Sequence, residues 1–366
     1  MKHGHSARPT MDAGEKVPLK TLDEKLRRTY ETVDGLYTRP GFQGYWSNLN
    51  KEEQERLVSA AKTEGCHSAV QRMFPRLEDI IFDPGRAAGL RMIDISPDDI
   101  GIDYGCMWGN LLLHAAKQCE AMVGVDQTRD SLRFLQHRVK EENVDNCFLV
   151  NDDLRGEIPL REMFDFALVS GVLEWVAEEH EVELTKFVTR ARRRWIKPRT
   201  DPREVQLNFL RMVSRNLKRD GRLYLAIENR YDYQYLLWKK DPHPELFYTA
   251  FLPRSLANIV SNVRYGRPYV TYLYSRGELE RLIREAGFTD IRQFAVFPDY
   301  RFPGKIIPFD RLATCSYNVV YNSLPTNSVF KRAFRKARRQ LDLIVYKRLK
   351  LFGLSPSFIF VARKDA

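Results

Sequence analysis

From about residue 98 to residue 229, short apolar runs alternate with amphipathic segments, and this alternation is what most narrows the fold. DIGID, AMVGVD, CFLVND, FDFALVSG and RLYLAIE read as strands. NLLLHAAKQC, RDSLRFLQHRVKEEN and REVQLNFLRMVSRNL read as helices between them. Strands that alternate with helices form βαβ units, whose strands run parallel and whose helices cover the sheet. SRGELERLIREAGF adds a helix ending at Gly287, TDIRQFAVF a strand after it, and PSFIFVAR a strand at the C-terminal end. The fold class is therefore α/β.

Around this core the composition changes. Residues 1–20 are polar and predict a flexible N-terminus. Residues 21–97 predict a helical extension, carried by TLDEKLRRTYETV and NKEEQERLVSAAKTE. Asn50 with Glu53 three residues on has the spacing of a capping box. The core spans 98–299, with substrate-side insertions around 176–200 and 231–274. Residues 300–355 form an aromatic and basic insertion, and 356–366 supply the last core strand. The five cysteines form no CxxC pair or Cys/His cluster, so neither zinc nor a disulfide framework is expected and a reducing cytosol fits best. No apolar run reaches the roughly 18 residues of a membrane span. The expected location is cytoplasmic, with peripheral contact at the inner face of the membrane as an extension of that reading.

Residues 102–110, IDYGCMWGN, join the first core strand to its helix. A glycine turn at that junction brings a helix N-terminus and bare backbone to a ligand. By itself the turn fits an ordinary βα connection equally well. The later strand ends shift the balance. Asp126 closes the second strand about 20 residues on, where a carboxylate accepts both hydroxyls of a ribose. Asn151, Asp152 and Asp153 end the third strand, where a carboxylate can accept from an adenine amino group. One acid at a strand end is usually a helix cap; three in this order are not explained that way.

These stretches together resemble the class I S-adenosylmethionine-dependent methyltransferases. Asp103-Tyr-Gly-Cys-Met-Trp-Gly109 is similar to their first motif, Asp126 to their ribose-binding acid and Asp152 to their adenine-contacting acid. FDFALVSGVLEWV is similar to their fourth motif, and FLRMVSRNLKRDGRLYLAIENR to a later helix–strand block. The resemblance covers about 98–297 and the terminal strand. It implies a Rossmann-like, seven-stranded, mostly parallel sheet in which TDIRQFAVF and PSFIFVAR pair as an antiparallel hairpin. It implies S-adenosyl-L-methionine as cofactor, held by Asp103, Gly105, Cys106, Met107, Gly109, Asp126, Gln127, Asp152, Asp153 and Ser170. Two positions depart from the pattern. Met107 stands where a glycine commonly flanks the methionine end of the cofactor, and a side chain there needs negative φ or accepts strain. Trp175 stands where a histidine is common, so no role for that histidine carries over.

A sulfonium methyl is already a strong electrophile, so the protein chiefly aligns a nucleophile and excludes water. An oxygen nucleophile benefits from a base within hydrogen-bond reach. Glu174, Glu228 and His243 are the candidate catalytic residues, with His180 in the acidic run EEHEVE a weaker one. Asn229, Arg230 and Tyr231 follow the fifth core strand and are the candidate substrate contacts. For Glu228 a structural cap or ion pair is an equal reading, and for His243, in DPHPE, loop structure is the plainer one. The segments from AIENRYDYQYLLW to RYGRPYVTYLYS, with FPDYRFPGKIIP, also resemble a bacterial subgroup associated with surface polysaccharide or glycolipid assembly. That resemblance implies an oxygen of a glycan, a glycolipid or a related small molecule as acceptor.

The net charge of +11 favours polyanionic partners. FKRAFRKARRQLDLIVYKRLK, 330–350, places Phe330, Phe334, Ala337, Leu341 and Ile344 on one helical face. Such a helix either lies on anionic lipid or packs its apolar stripe on the sheet. RARRRWIKPR, 190–199, is a second basic cluster. Nucleic-acid methylation is the competing reading of this charge, although no RNA-binding aromatic motif accompanies it. A cofactor-binding scaffold without catalysis is the third reading, motivated by Met107. No metal site is expected.

Overall fold

The computed structural model describes residues 19–39, 49–178, 197–311 without positions 238, 242 and 244, and 336–365 without position 338. Its strands are β1 (Glu31–Val33), β2 (Leu36–Thr38), β3 (Ile100–Tyr104), β4 (Ala121–Asp126), β5 (Cys147–Asn151), β6 (Phe164–Ser170), β7 (Leu217–Glu228), β8 (Phe288–Phe297), β9 (Lys305–Pro308) and β10 (Ser357–Lys364). They form one ten-stranded sheet in the order β1-β2-β5-β4-β3-β6-β7-β10-β8-β9. Strands β5, β4, β3, β6 and β7 run parallel to one another, and β10 lies antiparallel between β7 and β8. This is the Rossmann-like sheet with its antiparallel terminal pair.

The helices are α1 (Leu19–Thr29), α2 (Lys51–Glu64), α3 (Cys66–Met73), α4 (Glu78–Phe82), α5 (Asn110–Ala116), α6 (Arg129–Glu141), α7 (Pro202–Asn216), α8 (Arg254–Tyr265) and α9 (Arg276–Glu285). Leu22 of α1, Leu210 and Val213 of α7 and Leu279 of α9 pack with Ile102 and Val123 on one side of the sheet. Leu112 of α5 and Leu132 and Leu135 of α6 pack with Met122 and Phe166 on the other. Both faces are covered, which is why β3 and β4 are buried along their whole length. The chain enters at β3, builds outward through β4 and β5, then returns to β6 on the opposite side. Open α/β sheets bind ligands at that reversal, outside the carboxyl ends of the strands.

Three strands exceed the seven expected. TLDEKLRRTYETV is helical only as far as Thr29. The remainder turns at Asp34-Gly35, both with positive φ (52° and 76°), into the hairpin of β1 and β2. β2 then adds parallel to β5. The third addition, β9, pairs antiparallel with β8 inside the segment expected as an insertion. The capping box on α2 is present: Glu53 N donates to Asn50 Oδ1 at 2.9 Å and Asn50 N to Glu53 Oε2 at 2.8 Å.

The basic segment is described only from position 336 onward. Leu343–Arg348 is a π-helix, and its wider turn brings Asp342 and Tyr346 inward. Leu341 and Ile344, two residues of the predicted apolar stripe, are 37% and 45% exposed and so are not packed on the sheet. Ala337 is exposed as well, while Phe330 and Phe334 lie outside the described residues. His180 and most of RARRRWIKPR, together with positions 1–18, also lie outside them.

Candidate active site

A pocket opens at the carboxyl ends of β3, β4 and β6. Asp103, Gly105, Cys106, Met107, Gly109, Asp126, Gln127, Asp153 and Ser170 line it, which gathers every expected cofactor residue except Asp152. Gly105 and Gly109 have φ of 75° and 80°. A Cβ on Gly105 would lie 2.4 Å from Val172 Cγ2, and one on Gly109 2.2 Å from Leu135 Cδ1. Glycine therefore lets the turn settle against the β6 loop and α6 as well as adopt its backbone conformation. Met107 takes the left-handed conformation too, with φ of 44°. Its N–H donates to Asp126 Oδ2 at 2.8 Å, and Thr128 N donates to Asp126 Oδ1 at 2.8 Å. Asp126 thus pins the loop while each carboxylate oxygen keeps further acceptor capacity. The Met107 side chain is half-buried against the cluster that includes Trp108, Phe134 and Leu57 of α2.

Burial raises the pKa of Asp103 to about 8, with the Asp126 charge adding to the rise and Arg86 opposing it. Burial also raises Asp126, against the bonds from Thr128 and Met107. Arg86, which the sequence reading missed, lines the same pocket. It donates to Ile80 O at 2.8 Å, and its Nε has no partner among the described residues. It belongs to the N-terminal extension, well before the first core strand, and carries no motif that marks it.

Asp152 corrects the adenine assignment. It is fully buried and accepts Arg39 Nε at 2.6 Å, Arg39 Nη2 at 2.7 Å and Tyr30 O–H at 3.0 Å. Its carboxylate anchors the N-terminal extension, and its neighbour Asp153 faces the pocket.

Beyond Trp175, which lines the pocket, lies a second polar group. The Trp175 ring meets the His243 ring edge-on, centroids 4.9 Å apart. His243 Nε2 points between Glu174 Oε1 at 3.6 Å and Glu228 Oε2 at 3.9 Å, all three side chains being buried. The three catalytic candidates thus converge, from the loop after β6, the end of β7 and the 239–250 loop. Asp241 Oδ1 lies 2.9 Å from His243 Nδ1, and Asp241 Oδ2 accepts Thr249 and Tyr269 hydroxyls, each at 3.3 Å. Neither oxygen of Glu174 nor Glu228 Oε2 has a hydrogen-bond partner among the described residues. Burial, reinforced by the Glu174 charge, raises Glu228 to about 7. Burial opposes the charge on His243, but Asp241, Glu174 and Glu228 outweigh it and raise the imidazole to about 10.

The proposed substrate contacts separate. Asn229 Nδ2 donates to Gly353 O and Ser355 O, both at 2.8 Å. Arg230 donates to Ala250 O at 2.8 Å and Leu252 O at 3.0 Å and pairs with Glu278 at 3.1 Å. Both side chains are buried in tying the end of β7 to neighbouring loops, which corrects their expected role. Tyr231 stays half-buried, its ring tilted on Phe251.

Residues 102–198 match the family model described as a methyltransferase domain. A "Probable cobalt-precorrin-6B C(15)-methyltransferase (decarboxylating)" of Methanococcus vannielii is 31% identical over 62 residues, 17% of this chain and 34% of that protein. A protein of the same description from Methanococcus maripaludis is 26% identical over 81 residues, 22% of this chain and 43% of that protein. The chain thus spans about a third to two fifths of the length of these relatives. Among solved structures, phosphoethanolamine N-methyltransferase 2 of Haemonchus contortus, in complex with phosphomonomethylethanolamine and S-adenosylhomocysteine, aligns at 15% identity. That alignment covers 84% of this chain and 59% of that one, with a TM-score of 0.43. Residues 102–198 are thus the part of the chain that is similar to a methyltransferase domain.

Proposed function

We propose that this methyltransferase domain makes the chain an enzyme that transfers the methyl group of S-adenosylmethionine to an oxygen of a glycan, a glycolipid or a related small molecule. The observation that carries the reading is the pocket, where Asp103, the Gly105–Gly109 turn and Asp126 meet on one crevice at the strand reversal. The residues fit the cofactor. Asp126 offers two acceptor oxygens for a ribose diol, Asp103 a buried carboxylate for a cationic group, and Arg86 an unpartnered guanidinium nitrogen for a carboxylate. The bound cofactor supplies an electrophilic methyl group. The chain's part is to close the crevice with Trp175 and Val172 and to hold the acceptor in line.

An oxygen acceptor is favoured by Glu174, Glu228 and His243, which gather unpartnered carboxylate oxygens and an imidazole nitrogen next to Trp175. The carboxylates can accept a hydroxyl proton, and the imidazole, kept protonated by its acidic neighbours, donates to the hydroxyl oxygen and orients it. Calorimetry with S-adenosylhomocysteine tests the cofactor half of the reading. The wild type is expected to bind and Asp126→Ala to weaken binding at least about tenfold, the cost of roughly one charge-assisted hydrogen bond. Equal binding by both, or none by the wild type at millimolar ligand, defeats it. A screen of hydroxylated acceptors with methyl-labelled cofactor tests the acceptor half, and label transferred to RNA instead selects the nucleic-acid reading.

A further inference from the structure

The geometry points to a divalent cation site at Glu174, Glu228 and His243, with the acceptor's oxygen completing the ion's coordination; this rests on the methyl-transfer reading and names how that same site takes hold of its substrate. One ligand atom from each residue lies within 4.8 Å of the others. His243 Nε2 stands 3.6 and 3.9 Å from the two carboxylates, too far for a hydrogen bond. Atoms that share a cation at about 2.0–2.4 Å each sit at such separations from one another.

The energetics agree. Two buried carboxylates, three of whose oxygens accept no hydrogen bond among the described residues, face one imidazole whose single charge does not offset both, and an interior tolerates a charge when it is paired or bound to a metal. His243 has the second shell that metal-binding imidazoles use. Asp241 holds its Nδ1 at 2.9 Å and leaves Nε2 aimed at the carboxylates. Asp241 is itself fixed by Thr249 and Tyr269. Two oxygens and one nitrogen suit Mn2+ and its neighbours better than a thiolate-seeking ion. Three protein ligands leave coordination positions for an acceptor hydroxyl. A cation there orients the oxygen and lowers its pKa; the hydroxyl proton passes to the carboxylate oxygen of Glu174 that does not hold the ion, and the oxygen, beside Trp175 at the wall of the cofactor pocket, bonds the methyl carbon as its bond to the cofactor's sulfur breaks.

The test is Mn2+ titration of the full chain after EDTA treatment, with free Mn2+ read by its electron paramagnetic resonance signal. The wild type is expected to bind one Mn2+ per chain, with Mg2+ and Zn2+ competing. Glu174→Gln and Glu228→Gln are expected to weaken binding more than tenfold, and Asp241→Asn by about 10- to 100-fold, the usual range for a second-shell partner. Circular dichroism establishes that each variant is folded. Should a variant fail to fold, the wild-type melting temperature in Mn2+ against EDTA decides, because an ion bound by the native state raises it. No stoichiometric Mn2+ and no rise in melting temperature overturns the inference, as does unchanged binding in both folded glutamine variants. S-adenosylhomocysteine calorimetry on the EDTA-treated protein runs in parallel. Cofactor binding without Mn2+ binding overturns the cation site alone, and Mn2+ binding without cofactor binding overturns the methyl-transfer reading alone.

Discussion

Replacing Met107 with glycine is expected to leave cofactor affinity within about tenfold of wild type, or about 1.4 kcal/mol. The backbone favours the change. Met107 has φ of 44°, a conformation that costs a side-chain-bearing residue about 1–2 kcal/mol and glycine almost nothing. Against this stand glycine's extra freedom in the unfolded chain, about 0.5–1 kcal/mol, and the loss of a half-buried side chain from the Trp108–Phe134 cluster, about 1 kcal/mol. These contributions nearly cancel, so the stability of Met107→Gly should stay within about 1 kcal/mol of wild type. The contact that shapes the loop is a backbone one, Met107 N–H to Asp126 at 2.8 Å, and glycine keeps it. Met107→Val is the contrasting variant. A β-branched side chain at positive φ is a genuine outlier, so valine should shift the backbone and pull the N–H from Asp126. Calorimetry with S-adenosylhomocysteine and thermal melts on the three proteins give the numbers. Loss of binding in Met107→Gly would put the loop's shape in the side chain, and a neutral Met107→Val would show that the positive φ does not constrain it; either refutes the reasoning.

Asp103, with a pKa of about 8, is protonated at neutral pH in the cofactor-free protein, and a cationic ligand prefers its ionised form. Affinity for S-adenosylmethionine should therefore rise by up to about tenfold per unit from pH 6 to 8, and Asp103→Asn should flatten that profile in calorimetry. Asp342 is raised to about 6 by burial, opposed by its bond from the Tyr233 hydroxyl. A carboxyl raised above its unfolded value stabilises fully below about pH 4 and loses that contribution as pH rises through about 6. Asp342→Asn should thus be more stable than wild type at pH 7, by up to about 3 kcal/mol in chemical denaturation, with the gap closing at pH 4. Arg39→Ala leaves the buried Asp152 carboxylate without its bidentate partner and should cost about 2 kcal/mol, less than the roughly 3–5 kcal/mol of a fully buried pair because Arg39 is partly exposed. In an Asp152→Asn background the same change should cost clearly less, and equal costs in the two backgrounds would remove the pair from the account.

The five parallel strands were legible because a strand buried on both faces is a short apolar run, and IGIDY, AMVGVD and FDFALVS leave no other reading. Gly287 and the capping box at Asn50 marked helix ends for equally local reasons. The β1–β2 hairpin carried a local signal too, Asp34-Gly35, but the helical pattern was carried on past Thr29 to Val33, through β1. The insertion was harder. The face that Leu343–Arg348 buries depends on a π-helical turn, which a period of 3.6 residues does not describe. Leu341 and Ile344 share the stripe that the pattern marks yet stay exposed, so of its two readings the packed one does not describe them.

The site divides along the same line. Residues fixed to strand ends, such as Asp103, Asp126 and Ser170, reach the pocket because the sheet carries them there. Asp152 and Asp153 show the limit of that argument. Adjacent residues at a strand end point in different directions, and which one faces the ligand was settled by Arg39 and Tyr30, more than 100 positions earlier in the chain. Asn229 and Arg230 followed a strand end as well, yet the loops at 250–252 and 353–355 claimed both side chains. Glu228 escaped because its adjacent partners are another acid and an imidazole. Position at a strand's carboxyl end therefore brings a side chain to the crevice, and the long-range partners decide whether it stays available. Where those partners are hydrogen-bond donors, the residue becomes scaffold. Where they are like-charged carboxylates, as at Glu174 and Glu228, the pair retains unsatisfied oxygens that a proton, an acceptor hydroxyl or a cation must neutralise.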